Sequence, residues 1–475
     1  MPGHGIRLSQ LVLLATSLVA VTLLAAFNHD ISNASLRTVA SIMLAGELAL
    51  GTLIARVDER GVWGFPFLFY IILVIFHSGL YLAPALMNQA PLSLTSSDVL
   101  WYLSPQIERA GYLVSIGLAC YAFGFSIASI VPSGKRAIDS EFANDSESAR
   151  TRDGIVDVGG AVVLTCVVVW FTIGALTGGP LFFIGSYLTF LQGTEGSLLP
   201  WVYLGISMGL TMCSLDLTRT AGRIGVAAFA IFSIPAFVLG LRGEVLFPAV
   251  AALAVAGARR KVLSTRTFLV TCLLALLAIS FVGQVRVAGL SSIGSSNVVV
   301  SPVRAIEEMG YSVRPLTASI QWHEAGHEPY LLGSTYTGPF DRQIQGMAGQ
   351  EVPDATRDPR LMNVEIAERV GNIGGSIIAE AHHNWGSPGV GAILLATGFL
   401  VGRMFRRGMG PVGIALSGDL SVLLLMHVRN SFAPLPGWGA VGVLLVFTGV
   451  FVGKLHSRAT RSRQTSHAPT RKGAT

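Results

Sequence analysis

Charge is scarce in this chain. Of its 475 residues only 13% are Asp, Glu, Lys or Arg, whereas 51% are apolar. A soluble body of this length needs more polar surface than that, so the shortage excludes a single soluble globular fold and leaves an integral membrane protein. Lysine is scarcest, occurring only as Lys135, Lys261, Lys454 and Lys472. Cysteine is almost absent: Cys120, Cys166, Cys213 and Cys272 all fall inside apolar runs, and none recurs at metal-ligand spacing. That excludes a disulfide framework and a cysteine zinc site. The net charge of +6 is spread over short loops and the tail. With no basic stripe interleaved with aromatics, nothing is set up to bind nucleic acid. Internal repeats are also missing. Apolar runs continue to the C-terminus, unlike a secretory signal followed by a polar chain.

What is present is a series of apolar runs near 20 residues long, about twelve by the bilayer-thickness rule. They lie near residues 9–27, 36–55, 62–83, 110–131, 155–177, 197–215, 222–240, 245–258, 267–285, 387–402, 411–428 and 437–453. The expected fold is therefore all-α: a polytopic membrane protein of about twelve transmembrane helices. A cytoplasmic N-terminus places all the lysines and most arginines on the inner side, as the positive-inside tendency requires. The C-terminal tail, 454–475, is then cytoplasmic, and its basic, Ser/Thr-rich end from 458 is expected to be disordered. In chain order this gives N-terminal membrane helices over 1–285, a large extracytoplasmic loop over 286–387, C-terminal membrane helices over 388–453 and the tail. The loop, roughly 100 residues, is far longer than a usual connection and is read as functional. Within it the pattern predicts a Ser/Gly/Asn-rich start at 289–300, a short amphipathic helix at 302–309, a turn-rich middle from 324 to 358 and a helical stretch from 360 to 383.

Three groups of residues bear on chemistry. His323-Glu324-Ala325-Gly326-His327 is an H-E-x-x-H, which on a helix would place two imidazoles as zinc ligands beside a glutamate base. Gly326 within the motif and Pro329 just after it argue against such a helix, so a polar turn on the outer loop is expected there. A second group is Arg242, Arg286 and Arg429, which break the positive-inside trend at the outer ends of spans. Guanidinium forks suit a lipid diphosphate, both in binding it and in stabilising it as it departs; the plainer alternative is that each anchors its helix or pairs with an acid such as Glu244. The third group lies at 371–391, where Gly371, Gly374 and Gly375 lead into an apolar span. Helical spacing puts Ser376, Glu380 and His383 on roughly one face, with Asn384 adjacent. A carboxylate or imidazole there could take a proton from a sugar hydroxyl, and Trp385 could stack on a sugar ring. The alternative is a structurally paired Glu380 and solvated histidines, His382 and His383, at a helix end. Glu47, Asp157, Asp419 and His77, inside apolar spans, are expected to be paired residues of a polar interior.

The order of these landmarks resembles the O-antigen polysaccharide polymerase (Wzy) family, related to the O-antigen ligases. The resemblance rests on G-L-R-G-E at 240–244, P-Y-L-L-G-S-T-Y at 329–336, G-G-S-I-I-A-E-A at 374–381 with N-W-G at 384–386, and R-N-S at 429–431. It covers about 240–435; earlier residues match only as membrane helices. The sequence departs from the family pattern at His382-His383, which puts a histidine base in doubt and keeps Glu380 in register. The resemblance implies a GT-C-like membrane fold in the bacterial plasma membrane. It implies transfer of an oligosaccharide from undecaprenyl diphosphate to an acceptor glycan at the outer face, without metal or other cofactor. Glu380, His383, Arg242 and Arg286 would be catalytic, and Arg429, Asn430, Tyr336, Ser376, His382, Asn384 and Trp385 would contact substrate. The partners implied are the lipid-linked oligosaccharide, membrane lipid, and a chain-length regulator and flippase of the same pathway. The rival readings are a lipid-linked oligosaccharide flippase or other transporter, and an H-E-x-x-H zinc metalloprotease.

Overall fold

The computed structural model describes residues 7–26, 35–95, 98–131, 145–178, 198–259, 264–288, 300–354, 357–406 and 409–466. Among these residues every regular element is helical. The main helices are α1 (Leu8–Ala26), α2 (Leu36–Val57), α3 (Phe65–Ser78), α4 (Gln106–Ile130), α5 (Asp145–Gly178), α6 (Leu199–Cys213), α7 (Thr220–Val238), α8 (Arg242–Arg259) and α9 (Thr265–Ala288). Short helices α10 (Pro302–Met309), α11 (Arg314–Ile320), α12 (Ser334–Met347) and α13 (Met362–Arg369) follow, then α14 (Ile377–Arg403), α15 (Pro411–His427) and α16 (Leu435–Ser466). Nine helices among the described residues are long and apolar enough to cross a membrane, and α6 and α15 are shorter apolar helices. The three runs that separate nine from the expected twelve are α6 and α15, which are shorter, and α8, which carries Arg242, Glu244 and Arg259 within its 18 residues. The protein is thus a multi-pass membrane protein.

The amphipathic helix expected at 302–309 is α10. Elsewhere on the long segment 286–387, expected to be extracytoplasmic, the pattern misled. Its turn-rich middle holds α12, which forms across Gly338 and Pro339. Packing of Gly338 on Arg360, and of Arg342 on Asp358, overrides the weak local propensity. The expected helical stretch from 360 to 383 is two helices, because Gly371 and Gly374 take positive φ values of 108° and 80°. A new helix then starts at Ile377 with Ser376 as its N-cap. The tail expected to be disordered from 458 is helical to Ser466. The expectation for 289–299, and for the last residues, 467–475, falls outside the described residues.

By contacts the chain forms two compact units. The first comprises Met1–Pro132, Lys261–Met404 and Leu423–Trp438; the second comprises Ser133–Arg260, Phe405–Val422 and Gly439–Thr475. In the first, α14 is locked against α4 by glycines at both surfaces. A Cβ on Gly124 would lie 2.0 Å from the Leu395 carbonyl oxygen, and one on Gly398 would lie 2.0 Å from that of Tyr121. Only glycine permits this approach, the small-residue packing by which membrane helices associate in place of a hydrophobic drive. The described residues of segment 286–387 are part of the same unit: Tyr311 donates to the Ser93 carbonyl and Ser376 meets His77 on α3. Glu47 is likewise paired, with Ser78. The second unit has an aromatic centre of Trp170 and Phe232. Asp157 there pairs with Arg219 at 2.8 Å, and Asp419 accepts from Thr211 at 2.8 Å.

Candidate functional site

The first unit gathers its polar groups around the N-terminal turns of α14. The glycine-rich approach lies flat against residues 429–431: Gly375 N–H donates to the Arg429 carbonyl at 3.0 Å, and a Cβ on Gly375 would fall 2.5 Å from Ser431 N. No larger residue fits between these two backbones. Their contact fixes Glu380, one turn into α14, beside the residues that follow α15. Glu380 is fully buried. Its Oε2 accepts from Phe432 N–H at 2.7 Å and from His427 Nε2 at 3.2 Å. Its Oε1 is buried without a hydrogen-bond partner. A carboxylate oxygen left unpaired in a dry site costs on the order of 1–3 kcal/mol or more, so this asymmetry calls for an explanation.

The segment 329–336 closes on the same helix. Gly386, at φ 65° and ψ −154°, breaks the helical path of α14. The His383 and Asn384 carbonyls accept instead from Leu331 N–H at 3.2 Å and Leu332 N–H at 2.9 Å. The Asn384 side chain completes the clamp, accepting from Gly333 N–H at 2.9 Å and donating to Thr335 Oγ1 at 2.7 Å. Tyr336 then stacks on Trp385, with centroids 5.3 Å apart and planes within 8°, and meets the edge of Phe432. The Tyr336 hydroxyl is buried without a partner. Burial, and then the nearby Glu380 charge, hold its ionisation well above the ordinary phenol range. The Tyr336 ring thus touches both Trp385 and Phe432, the residue whose N–H holds Glu380 Oε2.

A second network mates the H-E-x-x-H with the histidine pair crosswise. His323 Nε2 meets His383 Nδ1 at 2.7 Å, and Glu324 Oε1 meets His382 Nε2 at 3.2 Å. Arg109 of α4 forks onto both Glu324 oxygens, at 3.0 Å and 3.2 Å, and reaches Ser387 Oγ at 3.1 Å. Burial pushes the Glu324 carboxyl up, but the His382 and Arg109 hydrogen bonds and the Arg109 charge outweigh it and hold it at about 2. Because a carbonyl only accepts, His323 Nδ1–H donates to the Glu328 oxygen at 2.9 Å. Glu365 accepts from His383 Nε2 at 2.8 Å. Burial of Glu365 opposes ionisation, but the His383 bond and charge and Arg369 keep its carboxyl low. The His323 and His383 rings are thus joined to each other and anchored on the Glu328 carbonyl at one end and on Glu365 at the other. Arg369 also forks onto Glu328 and covers Trp322 at 4.0 Å.

The residues singled out from sequence separate accordingly. Glu380, Tyr336, Trp385, Asn384, Arg429 and Asn430 come together; Arg429 is exposed, and Asn430 caps α15 through the Met426 carbonyl at 3.0 Å. Ser376, Glu380 and His383 do not share a face toward one site. Ser376 turns its Oγ to His77 at 2.6 Å and to the helix N-terminus, while Glu380 turns to His427 and His383 to His323. Helix α14 is enclosed on several sides here, so residues three apart, about 60° round the wheel, meet different elements. His382 and His383 are buried network members, not solvated residues. The zinc geometry fails: residues 321–325 form a π turn, His327 has φ 57°, and among the described residues no three metal-type side chains are grouped to hold an ion. Arg242 is half-buried at the start of α8 in the second unit. The side chain of Arg286 lies outside the described residues. His427, Arg109 and Glu365 were not foreseen. Arg109 ends a span by the same rule that picked the other arginines, and His427 stands two residues before Arg429; Glu365 gives no local sign.

Compared with known proteins, residues 11–452 match the family model described as O-antigen polysaccharide polymerase Wzy. No curated protein and no solved structure matches the chain.

Proposed function

Because the chain belongs to the O-antigen polysaccharide polymerase Wzy family, a family of glycosyltransferase-type membrane polymerases, we propose that it joins oligosaccharide repeat units carried on a polyprenyl diphosphate such as undecaprenyl diphosphate. Transfer takes place at the outer membrane face. The acceptor hydroxyl attacks the anomeric carbon of the donor glycan as the carbon–oxygen bond to the diphosphate breaks. The hydroxyl proton passes to Glu380 Oε1, and the lipid diphosphate leaves with the electron pair. Arg429 neutralises that departing charge. The aromatic set of Tyr336, Trp385 and Phe432 closes over the carboxylate, so the acceptor reaches Oε1 when those rings part.

The observation that supports this reading most is the meeting of 329–336, 374–386 and 429–432 around one carboxylate with a single free oxygen. Arg429 strengthens it, since among the described residues its exposed guanidinium has no carboxylate partner. His427 and Phe432 N–H hold Oε2, leaving Oε1 for the acceptor, whereas both ring nitrogens of His383 are engaged with His323 and Glu365. The test is glycan-size profiling of a deletion strain complemented with wild type, Glu380→Gln or Arg429→Gln. Loss of long chains with unchanged membrane abundance is expected, with single lipid-linked units accumulating outside. A normal ladder from Glu380→Gln, or accumulation on the cytoplasmic side, would overturn it, the latter in favour of a transporter.

A further inference from the structure

Helix α12 is built inside out. Two of its polar residues face the protein, where Arg342 pairs with the buried Asp358 and Gln345 Oε1 accepts from Arg360 at 3.4 Å, while Thr337, Asp341 and Gln343 are exposed. Its apolar residues face away. Phe340, Ile344 and Met347 are 46%, 59% and 81% exposed. At 100° per residue they fall on one stripe that continues the ring of Tyr336. A soluble helix puts such a stripe inward, and three large apolar side chains in one row on an outer loop do not suit water.

The helix also has a defined level. Phe340 lies 6.3 Å from Phe432 between ring centroids, and a Cβ on Gly437 would lie 3.9 Å from Gln343 Nε2. Residues 432 and 437 flank the start of α16, whose apolar span begins at Leu435. The stripe therefore sits beside the residues at which an apolar span begins.

We propose that α12 is an interfacial helix, its Phe340, Ile344 and Met347 face immersed in the leaflet at the end where α16 begins. Acyl chains are its partner, and the Asp358 ion-pair cluster behind it keeps the polar face on the protein side. Since α12 starts with the residues that close over Glu380, its immersion places hydrocarbon directly beside that carboxylate. A lipid-linked ligand then reaches the carboxylate without leaving the bilayer. The interfacial placement itself does not depend on the reaction assigned above.

The test uses full-length protein in phospholipid nanodiscs. Nitroxide labels are placed by Phe340→Cys, Ile344→Cys, Met347→Cys and Asp341→Cys in a background with the four native cysteines changed to alanine. Power saturation should show oxygen accessibility exceeding that of a water-soluble nickel chelate at 340, 344 and 347, and the reverse at 341. Equal nickel access at 344 and 341 would overturn the proposal. So would exclusion of both probes at 344 together with cross-links between copies, which would mark a protein interface. The wild-type chain gives an independent reading. A phospholipid with a diazirine in its acyl chain should label the peptide spanning 340–347; labelling confined to the long spans would count against immersion.

Discussion

Replacing Glu324 by glutamine should loosen the outer segment without touching Glu380. Glu324 is the single carboxylate that ties Arg109 on α4 to His382 on α14, and the amide keeps its shape while removing its charge. Burial raises its carboxyl, but the His382 and Arg109 interactions hold it at about 2, below the ordinary 4.5. A folded-state value below the unfolded one means stability present above about pH 4.5 and lost as pH falls toward 2. The gap of about 2.5 pH units corresponds to about 3 kcal/mol. With 29% of the side chain exposed, screening trims this to about 2 kcal/mol. Hydrogen exchange on the protein in nanodiscs reads it directly. The amides of Gly326, Glu328, Leu331 and Leu332, which bond within the docked segment or onto α14, should exchange roughly 30-fold faster in Glu324→Gln at pH 7. The difference should shrink as pH is lowered below about 4.5, where the wild-type carboxylate begins to lose the same interaction. Exchange at the wild-type rate at pH 7, or a difference that persists undiminished at pH 3, would refute the reasoning.

Gly375→Ala places a methyl 2.5 Å from Ser431 N, and both neighbours are backbone. An overpacking cost of about 1–3 kcal/mol is expected, seen as a lower midpoint of thermal unfolding together with shortened glycan chains. Asn384→Leu strips partners from Gly333 N–H and Thr335 Oγ1. At about 1–3 kcal/mol for each unsatisfied group, segment 329–336 should detach and become cleavable by added protease.

The membrane fold was legible because hydrocarbon thickness imposes one length on every span. The apolar runs at 36–55 and 222–240 reappear almost unchanged as α2 and α7. The outer segment was less legible, since the residues that shape it are satisfied by distant partners. Nothing local to Pro339 announces that Arg342 and Arg360 will share Asp358, and nothing near Glu365 announces His383. Glu380 could be singled out by position, a lone carboxylate at the mouth of a span after a glycine run. Its orientation could not, because that depends on His427 and Phe432 N–H, which sequence separates from it by about fifty residues. The H-E-x-x-H shows the same limit from the other side. Its residue types are those of a metal site, but chain separation hid the fact that each of its first two residues has a mate in His382-His383.

Charge balance sharpens the role of Arg429. Arginines are numerous on the outer segment and its neighbours, yet most are already spent. Arg109 is bound by Glu324, Arg369 by Glu328 and Glu365, Arg342 and Arg360 by Asp358, and Arg314 by Asp98. A diphosphate would have to compete with those carboxylates for guanidinium groups whose geometry is already satisfied. Arg429 differs in being exposed and, among the described residues, unmatched by an acid, while its backbone is pinned to Gly375. A cation held in position but not neutralised is what an anionic ligand can bind without first displacing a protein partner. Its backbone bond to Gly375 ties it to the turn that carries Glu380. On the proposed function, leaving-group cation and acceptor-side base would then lie on one short stretch of the fold.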